Sequence, residues 1–242
     1  MKPSKLSLIL QVFLVSSLLI GVSKTLTGCA GKKIDENDPA SLMTEAEDEI
    51  KSEHYLLAIE KLRLIKNKFP YSKHSALAQL RVADVYYLQE SYGEAAASYE
   101  TFRDLHPKHE KTAYAMFRVG KSYFNDIPSN VSRDLSSAQK ALDSFQDFLR
   151  RFPTAPEAAE SRNLVTSIRN SLAERELYIG NFYFRDNQWV SARGRFEKVL
   201  AFYSDTTSAT DAKKNLELAK LNQAKEESQK EASGKDSKET KQ

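Results

Sequence analysis

Three prolines divide the middle of this chain into segments that repeat one another. They close KNKFPYS at 66–72, RDLHPKH at 103–109 and LRRFPTAPEA at 149–158, with 37 and then 46 residues between successive prolines. Twelve residues before each proline stands an alanine (Ala58, Ala95, Ala141), eight before it a large residue (Leu62, Tyr99, Phe145) and five before it another apolar one (Ile65, Phe102, Phe148). Those offsets put all three on one side of a helix, because residues three, four and seven apart stack along the same face. A second apolar stripe precedes each such helix: Leu42 and Ala46, then Val82, Ala83 and Tyr86, then Met116, Val119, Gly120 and Tyr123. A fourth copy reads Ile179, Gly180, Tyr183, followed by Ala192, Phe196 and Val199. One helix pair of this size cannot bury its own apolar face, whereas stacked pairs build a continuous core. The chain is thereby constrained to an all-α fold, and the in-phase copies predict a solenoid of helix pairs. The competing use of the same stripes is an ordinary helical bundle.

The pattern resembles the tetratricopeptide repeat, in which a small residue admits the partner helix and large ones fill the space between them. Two departures from strict repetition matter, since insertions in solenoids lie on surfaces and often carry function. The third copy gains a segment from Asn125 to Asp134 between its helices. A helical pattern also runs unbroken from Pro156 to about Arg185, opened by a Thr154-Ala155-Pro156-Glu157 capping box. At 1.5 Å per residue it predicts a bridging helix of about 45 Å that braces the earlier repeats against the last ones. Asp38-Pro39 supplies an N-cap and a proline at the first helical position, placing the start of the repeat domain at residue 38.

Upstream of that start, an apolar leader from Leu6 to Val22 follows Lys2 and Lys5 and ends in Leu26-Thr27-Gly28-Cys29. This tetrapeptide resembles a bacterial lipobox, which implies a signal peptide over 1–28, cleavage before Cys29 and lipid on that cysteine. The alternative is an uncleaved anchor with an incidental thiol. Residues 29–37 read as a lipidated tether and 38–222 as the tetratricopeptide-repeat domain. Residues 223–242, rich in Lys, Glu, Ser and Gln, read as a disordered polar tail, because they hold too little apolar surface to offset ordering entropy. Removing residues 1–28 removes three lysines and no acid, leaving 33 basic against 33 acidic residues. A neutral chain has no net field to gather phosphates, so nucleic acid is excluded as a partner. Cys29 is the only cysteine, which excludes disulfides and thiolate chemistry in the folded domain.

No catalytic constellation stands out, no cofactor or metal is implied, and the chain reads as a non-enzyme. His54, His74, His106 and His109 read as surface residues, and Glu45, Glu47, Asp48 and Glu49 as a solvated helix face. Glu174 and Glu176 are two apart and point to different faces. A stack of helix pairs offers instead a concave surface for an extended peptide or a partner helix. Repeat phasing places Leu80, Asp84, Tyr87, Tyr114, Phe117, Lys121 and Phe124 on it. Aromatics beside cations are typical anchors for partners, and packing between repeats is the competing use of these rings. On the fourth repeat's second helix, Arg193 and Arg195 fall away from the stripe of Ala192, Phe196 and Val199, as either a partner contact or a solvated face.

Taken with the lipobox and the proline-closed segments, RNSLAERELYIGNFYF at 169–184 and WVSARGRFEKVLAFYSDT at 189–206 resemble the BamD (YfiO) family of outer-membrane lipoproteins. The likeness runs from about Asp38 to Leu221. Ser204 stands where that family usually has proline, and Asp186-Asn187 where it has an Arg-Gly turn. The resemblance implies a scaffold of the β-barrel assembly machine, held on the periplasmic face of the outer membrane by lipid. It implies as partners a BamA-like barrel subunit docked on the C-terminal repeats at the basic position matched by Arg195, other assembly lipoproteins, and nascent β-barrel segments on the N-terminal repeats. Alternative readings are a tetratricopeptide pilotin for pilus secretin assembly and a lipoprotein regulator of peptidoglycan enzymes.

Overall fold

The structure, a computed structural model, describes residues 35–130 and 132–239; the leader, Cys29 and the first part of the tether lie outside the described residues. Nine helices and no strand occur among the described residues: α1 (Pro39–Lys51), α2 (Tyr55–Lys68), α3 (Lys73–Leu88), α4 (Tyr92–Leu105), α5 (Thr112–Asn125), α6 (Ser136–Arg151), α7 (Ala158–Arg185), α8 (Trp189–Phe202) and α9 (Ser208–Glu239). Each helix packs on its neighbours in the chain, giving the tetratricopeptide-like α-solenoid expected from the repeats. Local chemistry sets several boundaries. The Asp38 carboxylate accepts from the Ala40 and Ser41 amides ahead of Pro39, and the Ser72 hydroxyl accepts from the His74 amide. The expected capping box does not form: α7 begins at Ala158 after a turn, with Glu157 at the cap position making no side-chain cap bond.

The small-against-large rule of the repeats is literal in the packing. Ala58, Ala95, Ala141 and Ala192 are all fully buried, as are Leu62, Tyr99, Phe145 and Phe196. Where the second helix brings phenylalanine, the first helix brings glycine. A Cβ on Gly120 would lie 2.6 Å from Phe145 Cε1, and one on Gly180 would lie 2.5 Å from Phe196 Cε1. Three core clusters result. One joins α1, α2 and α3, one joins α3, α4 and α5, and the largest runs continuously from α5 through α9. The 28-residue α7 is what makes the last cluster continuous. Ala158 and Ile168 serve it in the first half of the helix, Leu172 and Ala173 in the second.

Three turns between paired helices hold a non-glycine residue in the left-handed region, Glu53 (φ 60°), Glu90 (φ 59°) and Asn187 (φ 58°). They occupy one position of the repeat, two residues before Tyr55, Tyr92 and Trp189. Asn187 thus supplies the turn conformation without glycine, as its short polar side chain allows. In the third pair this turn is replaced by the longer connection from 126 to 135.

The C-terminal segment corrects the sequence reading. Helix α9 continues to Glu239, past residue 222 where a disordered tail was expected to begin. Ala, Glu, Lys and Gln are strong helix formers whatever their burial, and the pairs Gln223–Glu227 and Lys230–Glu226 each span one helical turn. The segment also touches the fourth repeat: Arg193 Nη1 donates to Gln223 Oε1 at 2.7 Å, and Trp189 and Glu226 line one shallow cleft.

Candidate functional site

The first helices of successive repeats are joined by a polar network. Arg81 on α3 reaches back to α1 with a two-pronged contact to Glu47, Nε to Oε1 at 2.6 Å and Nη2 to Oε2 at 2.7 Å. Its Nη1 also faces Asp84 Oδ2 at 3.3 Å. Asp84 is buried and accepts at Oδ1 from the hydroxyls of Tyr99 (2.5 Å, α4) and Tyr114 (2.8 Å, α5). Arg118 on α5 closes the set, donating from Nε to the Tyr99 oxygen at 3.1 Å with its guanidinium 3.7 Å from the Tyr87 ring centroid. Asn125 then donates to the Tyr87 hydroxyl at 2.8 Å. Burial, reinforced by the neighbouring Asp84 charge, pushes the Tyr114 phenol up to about 12 and the Tyr99 phenol well above its ordinary range. Both phenols therefore stay protonated at neutral pH and donate to Asp84 Oδ1.

This arrangement corrects the expected aromatic groove. Leu80 and Phe117 are only 6% and 7% exposed, and the Phe117 ring packs 6.0 Å from Phe145 and 5.9 Å from Phe148. Asp84 is consumed by its three partners. Tyr87, Tyr114 and Phe124 are half-buried, and Lys121 pairs with Glu160 on α7 at 2.9 Å. Asp84 meets Tyr114 of the next first helix and Lys121 meets α7, while Leu80 and Phe117 pack against the second helices α4 and α6, so packing takes up most of the surface that phasing alone assigns to a partner. The supposed solvated face of α1 is likewise occupied: Glu45 pairs with Lys61 at 3.2 Å, Glu47 with Arg81, and Glu49 with His54 at 2.8 Å. His106 and His109 lean on the Phe102 ring, with centroids at 5.0 and 5.3 Å. Among the described residues, no cluster of His, Cys, Asp or Glu is placed to hold a metal ion.

The C-terminal half presents a second charged junction. Glu176, buried on α7 while Glu174 points outward, accepts from Arg195 Nη1 at 2.9 Å and Lys198 Nζ at 2.5 Å, both on α8. Burial alone would raise the Glu176 pKa, but the hydrogen bonds from Lys198 and Arg195 outweigh it and hold the carboxyl below its ordinary value. Arg195 therefore has an internal partner, although its side chain remains 38% exposed. Arg193 turns to Gln223 and lies 3.6 Å from Glu197. Exposed apolar residues that the repeat phasing did not single out stand nearby in the chain: Tyr178 and Phe182, one turn apart on α7, and Leu218 and Leu221 on α9. Asn215 donates to Asn181 at 2.8 Å, tying these two helices together. The clue in the sequence was the aromatic density of LYIGNFYF at 177–184, which exceeds what one buried stripe can use.

Comparison with known proteins agrees with this architecture. The chain is 31% identical over 212 residues to the outer membrane protein assembly factor BamD of Rickettsia prowazekii, covering 86% of this chain and 81% of that protein. It is 28% identical over 205 residues to the protein of the same name from Vibrio cholerae (80% and 83% covered). With the Neisseria gonorrhoeae BamD it shares 26% over 219 residues (84% and 82%). No helix among the described residues is long and apolar enough to cross a membrane. The model of the YfiO family, described as outer membrane lipoprotein, matches residues 35–237, and the chain belongs to that family.

Proposed function

We propose that this chain is a non-enzymatic scaffold lipoprotein of the outer-membrane β-barrel assembly machine, lipid-anchored through Cys29 and facing the periplasm. The observation that carries the reading is the match along nearly the whole repeat domain to a family of outer membrane lipoproteins and to relatives named as assembly factors. The architecture suits the role, since a solenoid of stacked helix pairs presents extended surfaces without needing reactive groups. The barrel subunit docks on the C-terminal repeats, where Arg193 and Arg195 remain partly accessible and Tyr178, Phe182 and Leu218 are exposed. Nascent β-barrel segments engage the N-terminal half, at what Tyr87, Tyr114, Lys121 and Phe124 leave open.

Charge reversal at Arg195 is a poor probe of docking, because a carboxylate there would face Glu176 and strain the α7–α8 junction. The exposed pair is a better one. Tyr178→Ser/Phe182→Ser should melt close to the parent yet lose capture of the barrel subunit from solubilised outer membranes. Depletion of the chain should lower the content of β-barrel proteins in the outer membrane. If depletion removes only a pilus secretin, or capture returns peptidoglycan enzymes in place of a barrel protein, the reading is refuted.

A further inference from the structure

Resting on the lipoprotein reading of Cys29, we propose that the turn Phe69-Pro70-Tyr71-Ser72, with Tyr71 at its tip, is a membrane-contact point. Through it the solenoid rests on the bilayer that holds its own anchor. The path of the tether supplies the geometry. Lys68, the last residue of α2, donates from Nζ to the Glu36 carbonyl at 3.0 Å and to Asn37 Oδ1 at 2.8 Å, pinning the start of the domain against this turn. Cys29 lies seven residues before Glu36, and at no more than 3.3–3.6 Å per residue the lipid is within about 25 Å of that contact. The tether therefore keeps this edge of the solenoid, the one bearing the first inter-repeat turn, close to the bilayer.

The chemistry at the turn fits such a surface. Among the exposed large apolar side chains of the described residues, Tyr71 is the most exposed, at 101% of its reference area. Packing gives no reason for an aromatic there, whereas tyrosine, apolar in its ring and polar at its hydroxyl, suits the headgroup layer. Lys66, Lys68 and Lys73, all exposed, stand within five residues of it in the chain, cations of the kind that anionic phospholipid attracts. A protein partner could also use Tyr71, but the tether length specifies the bilayer as the surface within reach.

The test uses the full lipidated chain in vesicles of phosphatidylethanolamine and phosphatidylglycerol. Once Cys29 carries its thioether, an introduced cysteine is the only free thiol, so Tyr71→Cys and, on the opposite edge, Glu94→Cys can each take an environment-sensitive fluorophore. The label at 71 should shift to the blue on reconstitution and be quenched by lipids brominated near their carbonyls, while the label at 94 stays unchanged. A chain that floats with the vesicles while the label at 71 is neither shifted nor quenched overturns the contact and leaves the anchor standing. A chain that fails to float, with Cys29 unmodified by mass, overturns both. A label at 71 that shifts only when the barrel subunit is added assigns Tyr71 to a protein and refutes the membrane contact.

Discussion

Replacing Gly120 by alanine places a methyl group 2.6, 2.8 and 2.9 Å from three atoms of the Phe145 ring, where ordinary contact begins near 3.4 Å. The ring cannot retreat, because it is fully buried and backed by Phe117 at 6.0 Å. Overpacking of this kind costs about 1–3 kcal/mol, and three simultaneous short contacts put the cost toward the upper end. Alanine returns about 1 kcal/mol of helix propensity, so the net loss should be about 1–2 kcal/mol. Gly194 provides the opposite sign. It sits exposed in the middle of α8, and a Cβ added there would meet no heavy atom within 4 Å, so Gly194→Ala keeps only the propensity gain of about 0.5–1 kcal/mol. For a domain of this size each kcal/mol moves Tm by about 2–4 °C. Thermal melts of the leaderless chain should therefore bracket the parent, Gly120→Ala lower and Gly194→Ala higher. Adding Phe145→Leu should narrow the penalty of Gly120→Ala. If Gly120→Ala melts at or above the parent, the proposed glycine–ring fit is wrong.

Two further expectations follow from residues that break local rules or hold shifted charges. Glu53→Gly and Glu90→Gly relieve a left-handed backbone that costs a side-chain-bearing residue about 1–2 kcal/mol, so each should raise the urea midpoint; a lowered midpoint would show that the glutamate side chain outweighs the backbone cost. Glu176 has a folded-state pKa below its ordinary value of 4.5, so its contribution is complete above that value and is lost as pH falls through the lower folded-state one. Glu176→Gln should therefore lower stability at pH 7 and flatten its fall below about pH 4.5, and an unchanged acid limb would remove the Arg195–Glu176–Lys198 cluster from the stability of the α7–α8 junction.

The fold was legible because its grammar is local. Ala95 and Tyr99 are four residues apart on one helix, and their fates on burial follow from that spacing alone. The long helix was legible for the same reason, as an apolar stripe that does not stop where a repeat helix would. The Asp84 network was not, since Glu47, Arg81, Tyr99, Tyr114 and Arg118 come from four helices and meet only after the repeats stack. Phasing correctly put Asp84 and Phe117 on first helices but could not say what would cover them, Tyr99 and Tyr114 in one case and Phe145 and Phe148 on α6 in the other. Arg195 illustrates a different gap. Its position off the apolar stripe was readable, yet its partner Glu176 lies 19 residues earlier in the chain on the inner side of α7. The helix beyond residue 222 was not legible from burial, because its order follows from Ala, Glu, Lys and Gln favouring helix without a buried face.

The bridging helix also governs where this chain can change length. Each residue added to an α-helix rotates everything beyond it by about 100°. An insertion in the middle of α7 would leave Ala158 in place while swinging Gly180 away from Phe196 and Glu176 away from Arg195, so the two halves could not both keep their partners. The connection from 126 to 135 carries no such register and can lengthen or shorten while α5 and α6 hold their places. Relatives of this chain should accordingly differ in length at that connection and at their ends, while the distance from the start of α7 to the glycine facing Phe196 stays fixed.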